Sequence, residues 1–177
     1  MSKNARHLRV MIAAALLTAL SIVCGKYLAI RGGDILRFSF ENLPILLAGI
    51  AFGPAVGALT GAVADLVGCL LVGYAINPIV TVGAISIGLF GGLFFRWFRK
   101  MPLLARTLLT VLIAHLIGSI GIKTLGLSVF YSIPLWELFL WRALNYLLVG
   151  GVEAALLWTL LKNKGVRSQL DRFDERS

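Results

Sequence analysis

The chain has 177 residues, 59% of them hydrophobic and 14% charged, with a mean hydropathy of +0.90. Soluble globular proteins carry about a quarter charged residues, so the composition is that of an integral membrane protein, and six spans of about 20 residues leave no room for a soluble catalytic domain. A net charge of +9 would suit nucleic acid in a soluble protein, but the cations cluster beside apolar runs, where they set topology, so no nucleic-acid partner is expected.

The first apolar run, Val10 to Cys24, follows Lys3, Arg6 and Arg9 in the manner of a signal peptide. It continues into Gly25 and Lys26 without an A-x-A-like cleavage site, which predicts a retained helix over 8–30. Ala13, Ala14, Ala15 and Ala19 give that helix a small-residue face, and the Ala15 to Ala19 spacing lets another backbone approach, either within the bundle or from another subunit. A second helix is predicted over 38–52. Its 15 residues reach about 22 Å, short of a hydrocarbon core of about 30 Å, so it must start inside the interface or be covered by a loop.

Gly49, Gly53, Gly57 and Gly61 recur every fourth residue, and the next step in that register is Asp65. Gly53-Pro54 breaks the ladder, so Gly49 belongs to the second helix, while Gly57, Gly61 and Asp65 share one face of a third over 55–72. The turn from Gly73 through Tyr74, Ala75, Ile76 and Asn77 to Pro78 leads into a fourth helix over 79–98. A fifth is predicted over 103–122, ending at Lys123 and Thr124. Gly118 to Thr124 resembles a phosphate loop only superficially, because Ile122 stands where a P-loop needs glycine directly before lysine, and no ATP site is expected. A sixth helix over 135–161 precedes a solvated cytoplasmic tail, 162–177.

The fold class is therefore an all-α integral membrane protein, one domain of six transmembrane helices. Lys and Arg concentrate on cytoplasmic sides. Lys3, Arg6, Arg9, Arg96, Arg99, Lys100, Arg106, Lys162, Lys164, Arg167, Arg172 and Arg176 fall on one side, and Lys26, Arg31, Arg37, Lys123 and Arg142 on the other, which places both termini in the cytoplasm. The outer minority has no topological reason to be cationic. It gathers at the level of Asp65 and the Tyr74 to Asn77 turn, so polar groups converge at one mouth.

An intramembrane acid is by default a functional candidate, so Asp65 is either a ligand-reading group or a structural partner of Arg37 or Arg142. On the sixth helix Arg142, Asn145 and Tyr146 resemble a site wall, with Arg142 suited to a carboxylate fork; snorkelling to headgroups is the alternative, although Trp136 and Trp141 already supply an interfacial anchor. Lys123, at the start of an outer loop, meets an anion or water. Glu153 and His115 are read as structural, the latter as an interhelical hydrogen-bonded histidine. Cys24 and Cys69 are far apart, with no CxxC or nearby histidine, so no metal site or disulfide is expected. No nucleophile elbow or paired acids suggest catalysis, and no cofactor is implied.

Three segments carry a family resemblance: Phe38-Ser-Phe-Glu-Asn-Leu-Pro44, the block from Phe52 to Asp65, and Lys123-Thr-Leu-Gly-Leu-Ser-Val-Phe-Tyr131 with Pro134 and Arg142. Together with the alanine face of the first helix, they resemble the substrate-binding (S) component of energy-coupling factor (ECF) vitamin transporters, of the folate type, over nearly the whole chain. Lys123 and Gly126 depart from the family pattern, which commonly has Asn and Trp there. The resemblance implies a vitamin pocket at the outer face of a bacterial cytoplasmic membrane, closed by the loops after helices one, three and five. It implies docking through Ala15 and Ala19 onto a membrane scaffold (T) subunit bearing two ATPases, with toppling in the lipid bilayer to deliver the ligand.

For a folate, Asp65 would read the pterin edge, Lys26, Arg37, Lys123 or Arg142 would neutralise the glutamate tail, and Phe38, Tyr74 and Trp136 would stack on the rings. Asn77 and Asn145 complete the candidate wall. The competing readings are an S component for another vitamin, and a self-sufficient secondary carrier for a small organic anion, which would need repeats or a coupling-ion pathway that the sequence does not display. An intramembrane enzyme built on Asp65 and His115 is the third.

Overall fold

Alternation of apolar residues with arginine sets one short segment apart from an otherwise helical chain. Ile30-Arg31-Gly32 and Leu36-Arg37-Phe38 have the period of two that suits a pleated strand, and in the computed structural model, which describes residues 3–32, 36–166 and 168, they pair antiparallel as β1 (Ile30–Gly32) and β2 (Leu36–Phe38). The first helix therefore stops short of the predicted residue 30: α1 (Lys3–Ile22) runs into a π-helical turn, Val23–Tyr27, and then the hairpin. The second helix correspondingly starts at Asn42 rather than 38. Of the tail expected over 162–177, Lys162 closes α7, and the residues beyond 168, with 167, lie outside the described residues.

The remaining helices are α2 (Asn42–Phe52), α3 (Pro54–Val72), α4 (Pro78–Trp97), α5 (Leu103–Ala114), α6 (Lys123–Tyr131) and α7 (Leu135–Lys162). Their boundaries follow local chemistry. Gly53, at φ +102°, takes a conformation open mainly to glycine and lets Pro54 start α3 at once. At the far end of α3, Gly73 N–H bonds the Leu70 carbonyl and Tyr74 N–H that of Cys69, a Schellman-type stop. Asn77 caps α4, its Oδ1 accepting from Ile79 N–H at 3.0 Å and Val80 N–H at 3.4 Å, with Pro78 in the first turn.

One boundary departs from expectation with consequences for the site. The fifth helix does not end at residue 122. It continues through a π-helical stretch, His115–Ile122, into α6, giving one helical segment Leu103–Tyr131. Lys123 is thus not at the start of a loop; it is 4% exposed inside the bundle. A cation in an apolar run reads as an end because isolated burial is costly, and here Glu41 and Asn42 remove that cost.

Among the described residues, five helical segments are long and apolar enough to cross a membrane: Asn4–Tyr27, Pro54–Val72, Pro78–Trp97, Leu103–Tyr131 and Leu135–Lys162. The shorter α2 spans about 16 Å at 1.5 Å per residue. It is apolar all round and mostly buried among α1, α3, α4 and α7, the signature of an interior helix. Its backbone lies against its neighbours: a methyl at Gly49 would strike the Gly88 carbonyl, one at Gly57 the Gly49 Cα, and one at Gly88 the Gly57 carbonyl. Leu46, Ile87, Val111 and Leu157 fill the adjoining core.

Candidate functional site

At the end of the bundle where α3 stops and α4 starts, polar side chains line a cavity of about 170 Å³. Its walls come from the π-helical turn after α1 (Lys26), the segment before α2 (Ser39 and Glu41), late α3 (Asp65 and Cys69), the following turn (Tyr74 and Asn77), α6 (Lys123 and Tyr131) and the first turns of α7 (Arg142 and Tyr146). Elements separated by more than a hundred residues in sequence thus present their charged groups to one space. A larger cavity of about 630 Å³ opens between α5 and α7, but its walls are chiefly leucines such as Leu112, Leu116, Leu144 and Leu147, and among the described residues its polar side chains are the His115 imidazole and Tyr146.

The carboxylate of Asp65 is half-buried and accepts a 2.7 Å hydrogen bond from Thr81 Oγ1 on α4. Thr81 in turn sits one helical turn beyond Asn77, whose carbonyl also accepts from that hydroxyl. Asp65 therefore has a fixed direction and keeps acceptor capacity toward the cavity. Across from it Arg142 donates from Nε to Thr124 Oγ1 at 3.0 Å and from Nη2 to the Ser119 carbonyl at 3.0 Å and to Tyr146 Oη at 3.4 Å. Five donors serve a guanidinium, so the bonds that orient it still leave some for an anion.

Lys26 lies with Nζ 5.6 Å from the centre of the Tyr74 ring and 3.6 Å from Cys69 Sγ. A cation over an aromatic face is held weakly and remains available to a negative group. Lys123 is differently placed. Its Nζ donates to Glu41 Oε1 at 3.0 Å and to Asn42 Oδ1 at 3.3 Å, which commits it to a counter-ion already in the protein. Gly83 makes room for its stem, since a methyl there would meet Lys123 Cγ.

Of the residues singled out in the sequence, Asp65, Lys26, Tyr74, Asn77, Lys123 and Arg142 are brought together on the cavity wall. Asn77 uses both ends of its amide architecturally, capping α4 and donating from Nδ2 to the Gly126 carbonyl at 2.7 Å, so it ties α4 to α6. Three others do not line the cavity. Asn145 is buried in the bundle behind Arg142. Phe38 sits in the hairpin, and Trp136 is 69% exposed on the outer side of α7, stacked on Phe139. The backbone of Arg37 pairs with Arg31 across the hairpin, and its side chain lies outside the described residues. Ala15 and Ala19 are exposed on α1.

Glu41, Thr81 and Tyr131 were not singled out. For Glu41 a signal existed: an acid directly before an apolar helix, at the end where Lys26, Lys123 and Arg142 lie, needs a partner there. Thr81 and Tyr131 carried no such mark, because a threonine one turn into a helix and an aromatic near its end are ordinary at those positions.

The sequence matches the family described as ECF transporter, substrate-specific component, over residues 9–164. It is 24% identical over 174 residues to the folate transporter FolT of Clostridium novyi (strain NT), with 96% of this chain and 99% of that protein covered. The crystal structure of FolT bound with folic acid is similar at a TM-score of 0.70 and 24% identity, covering 89% of this chain and 92% of that one. The S component for biotin from an ECF-type ABC transporter gives 0.64 at 18% identity, with 92% and 95% covered. At such identities the two structures speak for the fold, a helical membrane bundle.

Proposed function

This chain belongs to the substrate-specific components of ECF transporters, and from that premise we propose that it captures folate or a closely related vitamin at the outer face of the bacterial cytoplasmic membrane and delivers it inward with partner subunits. The observation that carries the reading is the set of opposed charges on one cavity wall, with the Asp65 carboxylate held by Thr81 and the cations Arg142 and Lys26 facing the same space. A pterin ring offers a row of N–H donors and a glutamate tail two carboxylates, and these are the complements of Asp65 on one hand and of Arg142 and Lys26 on the other. Tyr74 and Tyr131 supply aromatic surface.

In this reading the chain crosses the membrane six times, α2 serving as an embedded short segment, with both termini in the cytoplasm. Partner subunits, a membrane scaffold and two ATPases, supply the energy, and the exposed Ala15 and Ala19 of α1 form the docking face. A cavity of about 170 Å³ is smaller than the roughly 300–1,000 Å³ of drug-sized ligand sites. Ligand entry therefore parts the walls.

Purified without any partner and without ATP, the chain should bind folate one to one with a Kd below about 1 μM, about −8 kcal/mol or stronger, and should bind biotin far more weakly. Tight binding of a different vitamin would keep the transport role and replace the ligand. Failure to bind any vitamin in the absence of ATP would remove the capture role.

A further inference from the structure

Deep in the bundle, away from the cavity, Glu153 on α7 is fully buried, with Oε2 2.6 Å from His115 Nε2. The other ring nitrogen, Nδ1, is hydrogen-bonded with Ser119 Oγ at 3.0 Å, so the imidazole is held at both ends. The imidazole also stacks on Tyr146, with centroids 5.0 Å apart and planes 29° apart. Gly150 leaves room for it, since a methyl there would come within 3.2 Å of His115 Cδ2. Ser119 and Tyr146, the two residues that His115 holds, are the two that receive Arg142 Nη2, through the Ser119 carbonyl and Tyr146 Oη.

The π-helical stretch His115–Ile122 makes this relay possible. A π turn bonds five residues along, and such turns recur at functional sites; here the Ser119 carbonyl takes Arg142 Nη2 and the Thr124 hydroxyl. Stability does not account for the pair. A fully buried carboxylate with Oε1 lacking a hydrogen-bond partner among the described residues is a net cost, and an acid in a membrane helix is a functional candidate by default.

We propose that Glu153 and His115 are positioning residues that set the direction of the Arg142 guanidinium, and so the affinity of the cavity for the carboxylate-bearing part of its ligand. Glu153 fixes the position and plane of the ring, the ring fixes Ser119 and Tyr146, and those two aim Arg142. The inference rests on the proposed folate reading for its ligand, but its geometry is independent of it.

The test uses the full-length chain in detergent and compares Glu153→Leu, which removes the acceptor, with Glu153→Gln, which keeps one. Folic acid and 6-methylpterin, which has the same ring and no carboxylate, are titrated against each. Glu153→Leu should weaken folic acid about tenfold, as expected for coupled neighbours, and leave 6-methylpterin within about twofold, while Glu153→Gln retains most of the folic acid affinity. In the ligand-free protein, the Arg142 Nε–H nuclear magnetic resonance signal should be sharp in the wild type and in Glu153→Gln, and broadened in Glu153→Leu. Equal losses for the two ligands, or an Arg142 signal unchanged by Glu153→Leu, would overturn the proposal. If Glu153→Leu does not fold, Gly150→Ala, which displaces the imidazole without removing a charge, should give the same selective loss and the same broadening. If the wild type binds no folate, the functional reading fails and the Arg142 signal alone decides the positioning role.

Discussion

Replacing Lys123 by methionine keeps the length of the side chain and removes its ammonium, leaving the Glu41 carboxylate facing a pocket built for a cation. At the observed 3.0 Å between Nζ and Oε1, two unit charges attract by about 5.5 kcal/mol at an effective dielectric of about 20. Desolvation offsets part of this. The Lys123 side chain is 5% exposed and that of Glu41 21%, so the pair is only partly dry, and the loss belongs near the lower end of the roughly 3–5 kcal/mol seen when one member of a buried pair is removed. Lys123→Met and Glu41→Gln should each destabilise by about 3 kcal/mol, and the double variant by about 3–4 kcal/mol rather than the roughly 6 of two independent losses. Reversible unfolding in mixed micelles, driven by sodium dodecyl sulfate and followed by circular dichroism, measures all four corners of the cycle. Additive costs would refute the pairing, and with it the account of why a lysine is tolerated inside α6.

Asp65→Asn should leave the protein folded and weaken pterin-bearing ligands by about ten- to a hundredfold, the range of a hydrogen bond to a charged group; calorimetric titration reads this, and unchanged affinity would take Asp65 out of the site. Gly57→Ala places a methyl against the Gly49 Cα and the Gly88 carbonyl, where only backbone shifts can relieve it, so it should cost about 1–3 kcal/mol in the same unfolding assay, whereas Gly151→Ala, which meets open space, should be close to neutral. Ala15→Leu with Ala19→Leu should spare vitamin binding by the isolated chain and abolish vitamin uptake by cells expressing the full transporter; normal uptake would end the docking role for that face.

Much of the helix layout was legible because the chain marks its breaks chemically. Gly53-Pro54 and Asn77-Pro78 each combine a special backbone or a cap with a proline at the first turn, and the ends of α2 and the start of α4 fall there. The convergence of Lys26, Asp65, Tyr74 and Arg142 at one level was legible too, since the minority of cations at that end of the predicted spans had no topological purpose. Two things were not. A lysine in an apolar run reads as an end unless its partner is known, and Glu41 lies 82 positions away, so the continuity of Leu103–Tyr131 depends on a contact that no local window contains. Aromatic residues near helix ends look alike in sequence whether they face a cavity, as Tyr131 does, or the outside, as Trp136 does.

The backbone contacts among Gly49, Gly57 and Gly88 also divide the molecule mechanically. Where main chains touch with no side chain between them, nothing can rotate to absorb a displacement, so α2, α3 and α4 act as a stator that carries Asp65, Thr81 and Asn77 at unchanging positions. Lys26 and Arg142, on the other wall of the cavity, hang from the turn after α1 and from α7, where glycines meet side chains instead, Gly25 that of Glu41 and Gly150 that of His115, and side chains can yield. The vitamin would then be met by one fixed jaw that reads its ring and one moving jaw that closes on its charge.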